Sequence, residues 1–524
     1  MLGALARRGR RCTIHPRATR TLPVRNESLT EARTTHRPLV LTAMMLAAFM
    51  GAIEATIVAT ALPSIAAEIG GFSLYSWVFS SYLLMQAIST PIFGKVADLL
   101  GRKPAFIVGV GIFLVGSVAC GLAPSMGWLV AFRFIQGIGA GAVQPIVIIL
   151  AGDLYPLEER GRVQGFLSSV WGFSSIVGPL AGGLMVHQFG WPWIFWMNVP
   201  FGVIAVVLIT LYLHEDVGRE ELSVDYPGAL LLLAALGPLM LALTQGSSWG
   251  VPAAAGLVAL SAAGFALFVR QERRAADPLM HLELWASPLI RNANLATLTS
   301  GVMMIGIISF LPTYVQGVLG GSAVLAGFTL SAMTLGWPIA SYAAGTQIAS
   351  RGVRGMVRLG ALAVLAGSLV VALLAERGPL AAGLGSFMMG VGMGFLGTSF
   401  VVAIQTSVGW RQRGVATATN MLMRLLGSAL GAAFFGGIIN WQMGRYLRRS
   451  GLEGGLSIDS IQELMSDAAP RAAGLGAQSL AALREGLSGS LHLVFWGIVL
   501  MGVVTLVIAW RVPEMERPNV TESS

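Results

Sequence analysis

Residues 94–103 read Gly94-Lys95-Val96-Ala97-Asp98-Leu99-Leu100-Gly101-Arg102-Lys103, and residues 345–354 read Gly345-Thr346-Gln347-Ile348-Ala349-Ser350-Arg351-Gly352-Val353-Arg354. Each stretch sets two glycines seven apart with a basic residue just beyond, and the copies lie 251 residues apart. Arg160-Gly161 is echoed by Arg413-Gly414 at an offset of 253. Two landmarks at nearly one offset mark an internal duplication of the chain.

Apolar runs flank both copies. Runs of roughly 20 apolar residues can cross a ~30 Å hydrocarbon core, and about fourteen are legible. They fall at 39–62, 75–94, 104–123, 128–151, 163–187, 193–213, 228–245, 251–270, 293–316, 323–349, 357–375, 380–404, 414–440 and 490–511. Lipid leaves no water to satisfy an open backbone, so the runs are predicted to be helices. Eight spans separate the two glycine loops; an even number gives both repeats the same orientation, a known transporter plan. The predicted fold is all-α and polytopic: two six-helix bundles in parallel repeat, with two inserted central helices. The expected divisions are a basic tail over 1–37, a first bundle over 38–215, the inserted pair with its linker over 216–290, a second bundle over 291–512 with a long loop at 441–489, and a tail over 513–524.

The composition agrees. Charged residues make up 11% of the chain, against roughly 25% in soluble proteins, too few to cover a soluble surface. The net charge of +9 sits in short loops and tails, so it argues for membrane orientation rather than nucleic acid. With both termini inside, 26 of the 34 Lys and Arg fall on the inner side. The tail over 1–37 lacks the apolar core of a signal peptide and reads as a disordered cytoplasmic segment. Cys12 and Cys120 give no disulfide or metal framework.

Three charges lie deep within the spans, away from their ends. Glu54 sits in the first, where a charge costs ~2.5–3.5 kcal/mol on insertion scales and is usually functional. A carboxyl balanced between burial and a nearby Arg can gain and lose a proton; the other reading is a structural carboxylate permanently paired. Arg133, in the fourth span, matches Glu54 in depth and is its candidate partner, unless it snorkels to the interface. Arg424, in the thirteenth span, has no acid at its depth in the second half. It is expected to face a wet cavity or backbone carbonyls, in a substrate or a structural role. Gln136 and Gln144 are further candidate cavity residues.

Asp98 and Arg102, with Asp153 and Arg160 on the next inner loop, are candidates for a gate of interlocking charges that separate in another state. Gly178-Pro179-Leu180-Ala181-Gly182-Gly183 in the fifth span offers small residues for close packing and a bend. Trp191, Trp193 and Trp196 read as an interfacial belt. Gly246-Ser247-Ser248-Trp249-Gly250, Gly392-Met393-Gly394-Phe395-Leu396-Gly397 and His214-Glu215 match enzyme motifs only in part and lie in the wrong context. Nothing points to an enzyme, a metal or ATP.

Together these motifs resemble the fourteen-spanner drug:proton antiporters of the major facilitator superfamily, the EmrB/QacA type. Gly94 to Lys103, with Gly101, Arg102 and Lys103, looks like the family's loop motif. Arg133 with Gln136-Gly137 looks like its fourth-helix motif, and Gly178 to Gly183 like its antiporter motif. Glu54-Ala55-Thr56 through Pro63, Asn198-Val199-Pro200 and Asp225-Tyr226-Pro227-Gly228 are similar to further family segments. Glu54 stands where the family usually has Asp, and Pro192 where it usually has Arg. The tenth span holds no acid between Ser322 and Ser350, which speaks against divalent substrates. The resemblance implies export of lipophilic, often cationic drugs or toxic metabolites across a bacterial inner membrane, driven by the proton motive force without a cofactor. Its partners are then an amphipathic small molecule, protons and the bilayer; a periplasmic adaptor on 441–489 stays open. Export of a lipid or a dedicated metabolite on the same fold is the alternative.

Overall fold

The computed structural model describes residues 35–70, 74–215, 225–275, 278–321, 323–449 and 477–514. Among them all regular structure is helical. The first half contains α1 (Arg37–Ile69), α2 (Tyr75–Leu100), α3 (Arg102–Gly121), α4 (Met126–Leu154), α5 (Leu157–Phe189), a single turn α6 (Trp193–Trp196) and α7 (Asn198–Tyr212). A hairpin of α8 (Tyr226–Trp249) and α9 (Val251–Glu272) follows. The second half contains α10 (Pro288–Gly317), α11 (Ala323–Leu374), α12 (Pro379–Ser407), α13 (Trp410–Arg449) and α14 (Ala477–Trp510). The basic tail predicted over 1–37 and the tail over 513–524 lie almost wholly outside the described residues.

Eleven stretches are long and apolar enough to cross a membrane by length and composition. The other predicted spans are helical too, at α5, α8 and the first arm of α11. α8 is apolar over Pro227–Ala242, whereas α5 and the first arm of α11 are richer in Ser, Gly and Gln for a reason of position. α5 and the first arm of α11 pack against each other between the halves, and α8 lies between α9 and the α2–α13 seam. Helices that face protein tolerate the Ser, Gly and Gln that lipid-facing helices avoid.

Pro200 explains the break between α6 and α7, since it has no N–H to donate to the carbonyl of Trp196. α11 holds two predicted spans in one run, turned at Gly352, whose φ of +72° suits glycine. Gly101, between α2 and α3, has φ +94°. Gly101 and Gly352 are the second glycines of the two repeated stretches, so the duplication places the same turn in both halves.

The loop predicted at 441–489 is shorter than expected. α13 continues to Arg449 and α14 starts at Ala477. These extensions are rich in Gln, Arg, Leu and Ala, which favour helix without being an apolar run.

Each half has its own apolar core. Val40, Met44, Phe106, Val110 and Ile146 anchor one in the first half, and Ile307, Met389, Phe400 and Phe495 one in the second. A separate cluster joins Leu84 and Ile88 of α2, Leu232 and Leu236 of α8, Phe268 of α9 and Leu422 and Leu426 of α13. The inserted hairpin therefore lies over the seam between the halves. Asp225 caps α8 by accepting from the Gly228 N–H (2.9 Å), and Gln271 Nε2 donates to it from α9 (3.1 Å). α9 buries only Ser261, Gly264, Phe268 and Glu272, one stripe at helical spacing against α8.

Candidate functional site

The seam is built from the repeated glycines. A Cβ on Gly94 of α2 would overlap Ala418 and crowd the Gly414 carbonyl of α13. A Cβ on Gly345 of α11 would overlap the main chain of Gly161 on α5. So the first glycine of each repeated loop meets, in the other half, the glycine that follows the echoed arginine. The two contacts are pseudo-symmetric copies of one interaction. Along the α5–α11 seam, Gly165 faces Tyr342, Ser168 Oγ lies 3.5 Å from Ser341 Oγ, and Gly172 faces the Thr334 carbonyl.

Charges lock the same end. Asp98 accepts from the backbone N–H groups of Gly414 (2.9 Å) and Val415 (2.8 Å), the fifth and sixth residues of α13. A carboxylate near a helix N-terminus opposes the positive end of the dipole. Arg102 is fully buried; it pairs with Asp98 at 2.8 Å and Asp153 at 2.9 Å, donates to the Trp410 carbonyl at 3.0 Å and lies 4.3 Å from the centre of the Trp410 ring. Arg413 closes the circuit by pairing with Asp153 and donating to the Gly152 carbonyl (3.3 Å). Gln405 Nε2 donates across the seam to the Ile148 carbonyl at 3.0 Å.

Two of the predicted gate residues work elsewhere. Lys103 donates to the carbonyls of Thr210 (2.7 Å) and Leu213 (2.8 Å), and Glu215 accepts from the N–H groups of Arg102 and Lys103. This exchange ties α3 to the end of α7 within one half. Burial raises the Glu215 carboxyl above its ordinary value against the pull of those donors. Arg160 donates to the Tyr155 carbonyl of its own loop at 2.9 Å. Its counterpart Arg413 makes the pair across the seam.

Inside the first half, Glu54 and Arg133 form an ion pair, 0% and 1% exposed. Both functional groups are satisfied. The other Glu54 oxygen accepts from Asn198 Nδ2 at 2.7 Å. Arg133 also donates to Gln136 Oε1 (2.7 Å) and the Val78 carbonyl (2.9 Å), and stands 4.1 Å from the centre of the Tyr82 ring. Gln136 Nε2 donates to Ser117 Oγ at 2.8 Å. The network joins α1, α2, α3, α4 and α7. Gln136, expected in the cavity, therefore belongs to this sealed network: its side chain is drawn to the charged pair one helical turn away. Arg133 does not snorkel.

Gly178 packs against Thr56 of α1, where an added Cβ would overlap the hydroxyl. Gly182 is buried, while Gly183 meets nothing within 4 Å; the Pro179 side chain lies outside the described residues. Gln144 is half-buried with its Nε2 beside Gly51. Trp191 is buried, 4% exposed, against Phe195, so it does not belong to an outward-facing belt, while Trp193 is 47% exposed. Asn198 and Arg413 were absent from the predicted site. Asn198 is a lone amide opening an apolar helix, and Arg413 shares the repeat offset with Arg160; those were the available signals.

Two parallel helical bundles, related by a repeat and closed on each other at one end by glycines and charges, define a polytopic membrane protein of the transporter class. A model of the Major Facilitator Superfamily matches residues 44–432, and the chain belongs to that superfamily. It is 32% identical over 421 residues to the "Multidrug transporter protein MdtP" of Bacillus subtilis (strain 168), covering 80% of this chain and 78% of that protein. It is 35% identical over 414 residues to "Multidrug resistance protein 3" of the same organism, covering 78% and 80%. Among solved structures, the proton:xylose symporter XylE bound to 6-bromo-6-deoxy-D-glucose shares the fold at a TM-score of 0.60 and 13% identity, over 91% of this chain and 96% of that one. The human organic anion transporter MFSD10 does so at 0.60 and 15%, over 88% and 99%.

Proposed function

We propose that this chain is a proton-coupled antiporter of the fourteen-spanner drug-exporter type. It exports amphipathic compounds across a bacterial inner membrane, with both termini in the cytoplasm. The multidrug names of the two Bacillus relatives support the cargo class, and the distribution of Lys and Arg supports the orientation. The coupling rests on one observation, the ion pair of Glu54 and Arg133 sealed within the first bundle.

A proton on Glu54 removes the charge that holds Arg133 and so loosens the join between α1 and α4. The sealed pair is then the deprotonated, occluded form, and reprotonation requires the bundle to rearrange. Asp98, Arg102, Asp153 and Arg413 latch the cytoplasmic side, and release of the latch opens the cavity inward. One charge crossing about 100 mV supplies about 2.3 kcal/mol, enough for a gradient of roughly fortyfold.

The test is proton release from energised inside-out vesicles on addition of an amphipathic compound, comparing wild type with Glu54→Gln. Release in wild type that disappears in the variant is expected. Equal release in both moves the proton to another group, and export insensitive to uncouplers overturns antiport.

A further inference from the structure

α13 shows three sides. Gly414, Val415 and Ala418 meet α2 of the other half, while Asn420, Gly427 and Gly431 meet α10. Leu430, Phe434 and Trp441 are 42%, 53% and 56% exposed and face outward. At 3.6 residues per turn, Arg424 falls in the sector between the α2 and α10 sides, away from the outward one. Residues on that sector change character along the helix. Thr417 and Met421 are 1% and 6% exposed, sealed between the halves. From Arg424 upward, Arg424, Leu425 and Ser428 are partly exposed and Ala432 is exposed. The burial that seals this sector thus ends below Arg424, which lies on the stretch of α13 that turns toward the first bundle above the seal. Arg424 lies fourteen residues into α13, about 21 Å along the helix.

This cation has no counter-charge. Among the described residues no carboxylate lies within ion-pair distance of it. From Arg291 to Asn440 the sequence holds a single acid, Glu376, which sits beyond the far end of α11 with its side chain 67% exposed. In the first half, Glu54 is committed to Arg133 and fully buried, and Asp98 and Asp153 are held in the seal.

A second observation points the same way. One turn below Arg424, Asn420 Nδ2 donates to Asn294 Oδ1 and Thr297 Oγ1, both at 3.0 Å. That leaves the Nδ2 of Asn294, 0% exposed, as a buried donor without a partner. A buried donor left unpaired costs free energy of about 1–3 kcal/mol. A guanidinium is the side chain best suited to carboxylates, sulfonates and phosphates, and the unpartnered amide donor one turn below it is a second group that lacks an acceptor.

We propose that Arg424, with Asn294, forms the polar end of the substrate site and takes an anionic headgroup, so that the exported amphiphiles include acids and not only the cations that the family resemblance implies. This rests on the reading of the chain as an exporter of amphipathic compounds. A lipophilic cation entering the same space meets an uncompensated like charge.

The test compares two probes with one apolar body, pyrenebutanoate and pyrenebutyl-trimethylammonium. Binding is measured on the purified full-length protein in lipid nanodiscs without any gradient, with protein-free nanodiscs subtracted. Wild type is expected to bind the butanoate at least tenfold tighter than the ammonium. Arg424→Gln should erase that preference, and Arg424→Lys should keep its sign. Equal or tighter binding of the ammonium to wild type overturns the proposal without any variant. Unchanged butanoate binding in Arg424→Gln, at an unshifted melting temperature, overturns it as well. Because the readout is charge preference at equilibrium, failure of proton exchange in vesicles would sink the antiport reading and leave this result standing.

Discussion

Glu54 and Arg133 satisfy one another so fully that either alone becomes a liability. Breaking a buried pair from one side leaves an uncompensated charge and costs about 3–5 kcal/mol. Glu54→Gln and Arg133→Gln are each expected to lower the thermal midpoint of the purified protein markedly, while the double variant loses much less than the sum. Additive losses would show that the two side chains are not energetically coupled. Asn198→Leu removes one donor from the same carboxylate and is expected to cost roughly 1.5–3 kcal/mol, the worth of a hydrogen bond to a charged group. At the other end of the bundle, Arg413 is partly exposed and Arg102 is fully buried. Arg413→Ala should therefore bias the conformational equilibrium while leaving the fold intact, read as faster labelling of a cysteine introduced at Ala418. Arg102→Ala should destabilise the protein itself.

The seam helices carry the sharpest geometric constraint. Gly161→Leu is expected to prevent α5 and α11 from closing, abolishing transport with little change in helix content by circular dichroism; transport at the wild-type rate would show that this contact is dispensable. Much of this element-level structure was legible beforehand. A 251-residue offset between two loops specified the parallel halves, and helical rise alone put Glu54 and Arg133 at one depth. What escaped was anything set by cross-chain packing. Arg160 and Arg413 are equivalent by sequence offset, yet Arg413 pairs with Asp153 across the seam while Arg160 bonds its own loop; at that offset the counterpart of Asp153 is Thr406, which offers no charge. Asn198 was legible only as part of a family-like segment; its bond to Glu54 escaped because a single amide in an apolar run has no periodicity to assign it a partner. The extended ends of α13 and α14 escaped because an apolar-run criterion stops where the membrane does, while helix propensity carries on.

The molecule as a whole is caught closed at the Gly101 end, and on α13 the seal gives way above Met421. Exchange between sides then requires the α5–α11 seam to part. A Ser168→Cys/Ser341→Cys protein, with Cys12 replaced by Ser, should form a disulfide under mild oxidation and stop transport, and reduction should restore it. Continued transport by the crosslinked protein would mean that the halves do not separate there. The inserted hairpin, packed on α2 and α13 together, must ride with one half or slide over the other at every cycle. The glycine crossings have a thermal consequence. Where main chain faces main chain, parting the halves frees no side chain and rejoining them freezes none, so those contacts add almost nothing to the rotamer entropy of closure. Such a joint should turn with a small activation entropy and slow only gently on cooling, with the charged latch, rather than the bearing beneath it, setting the pace.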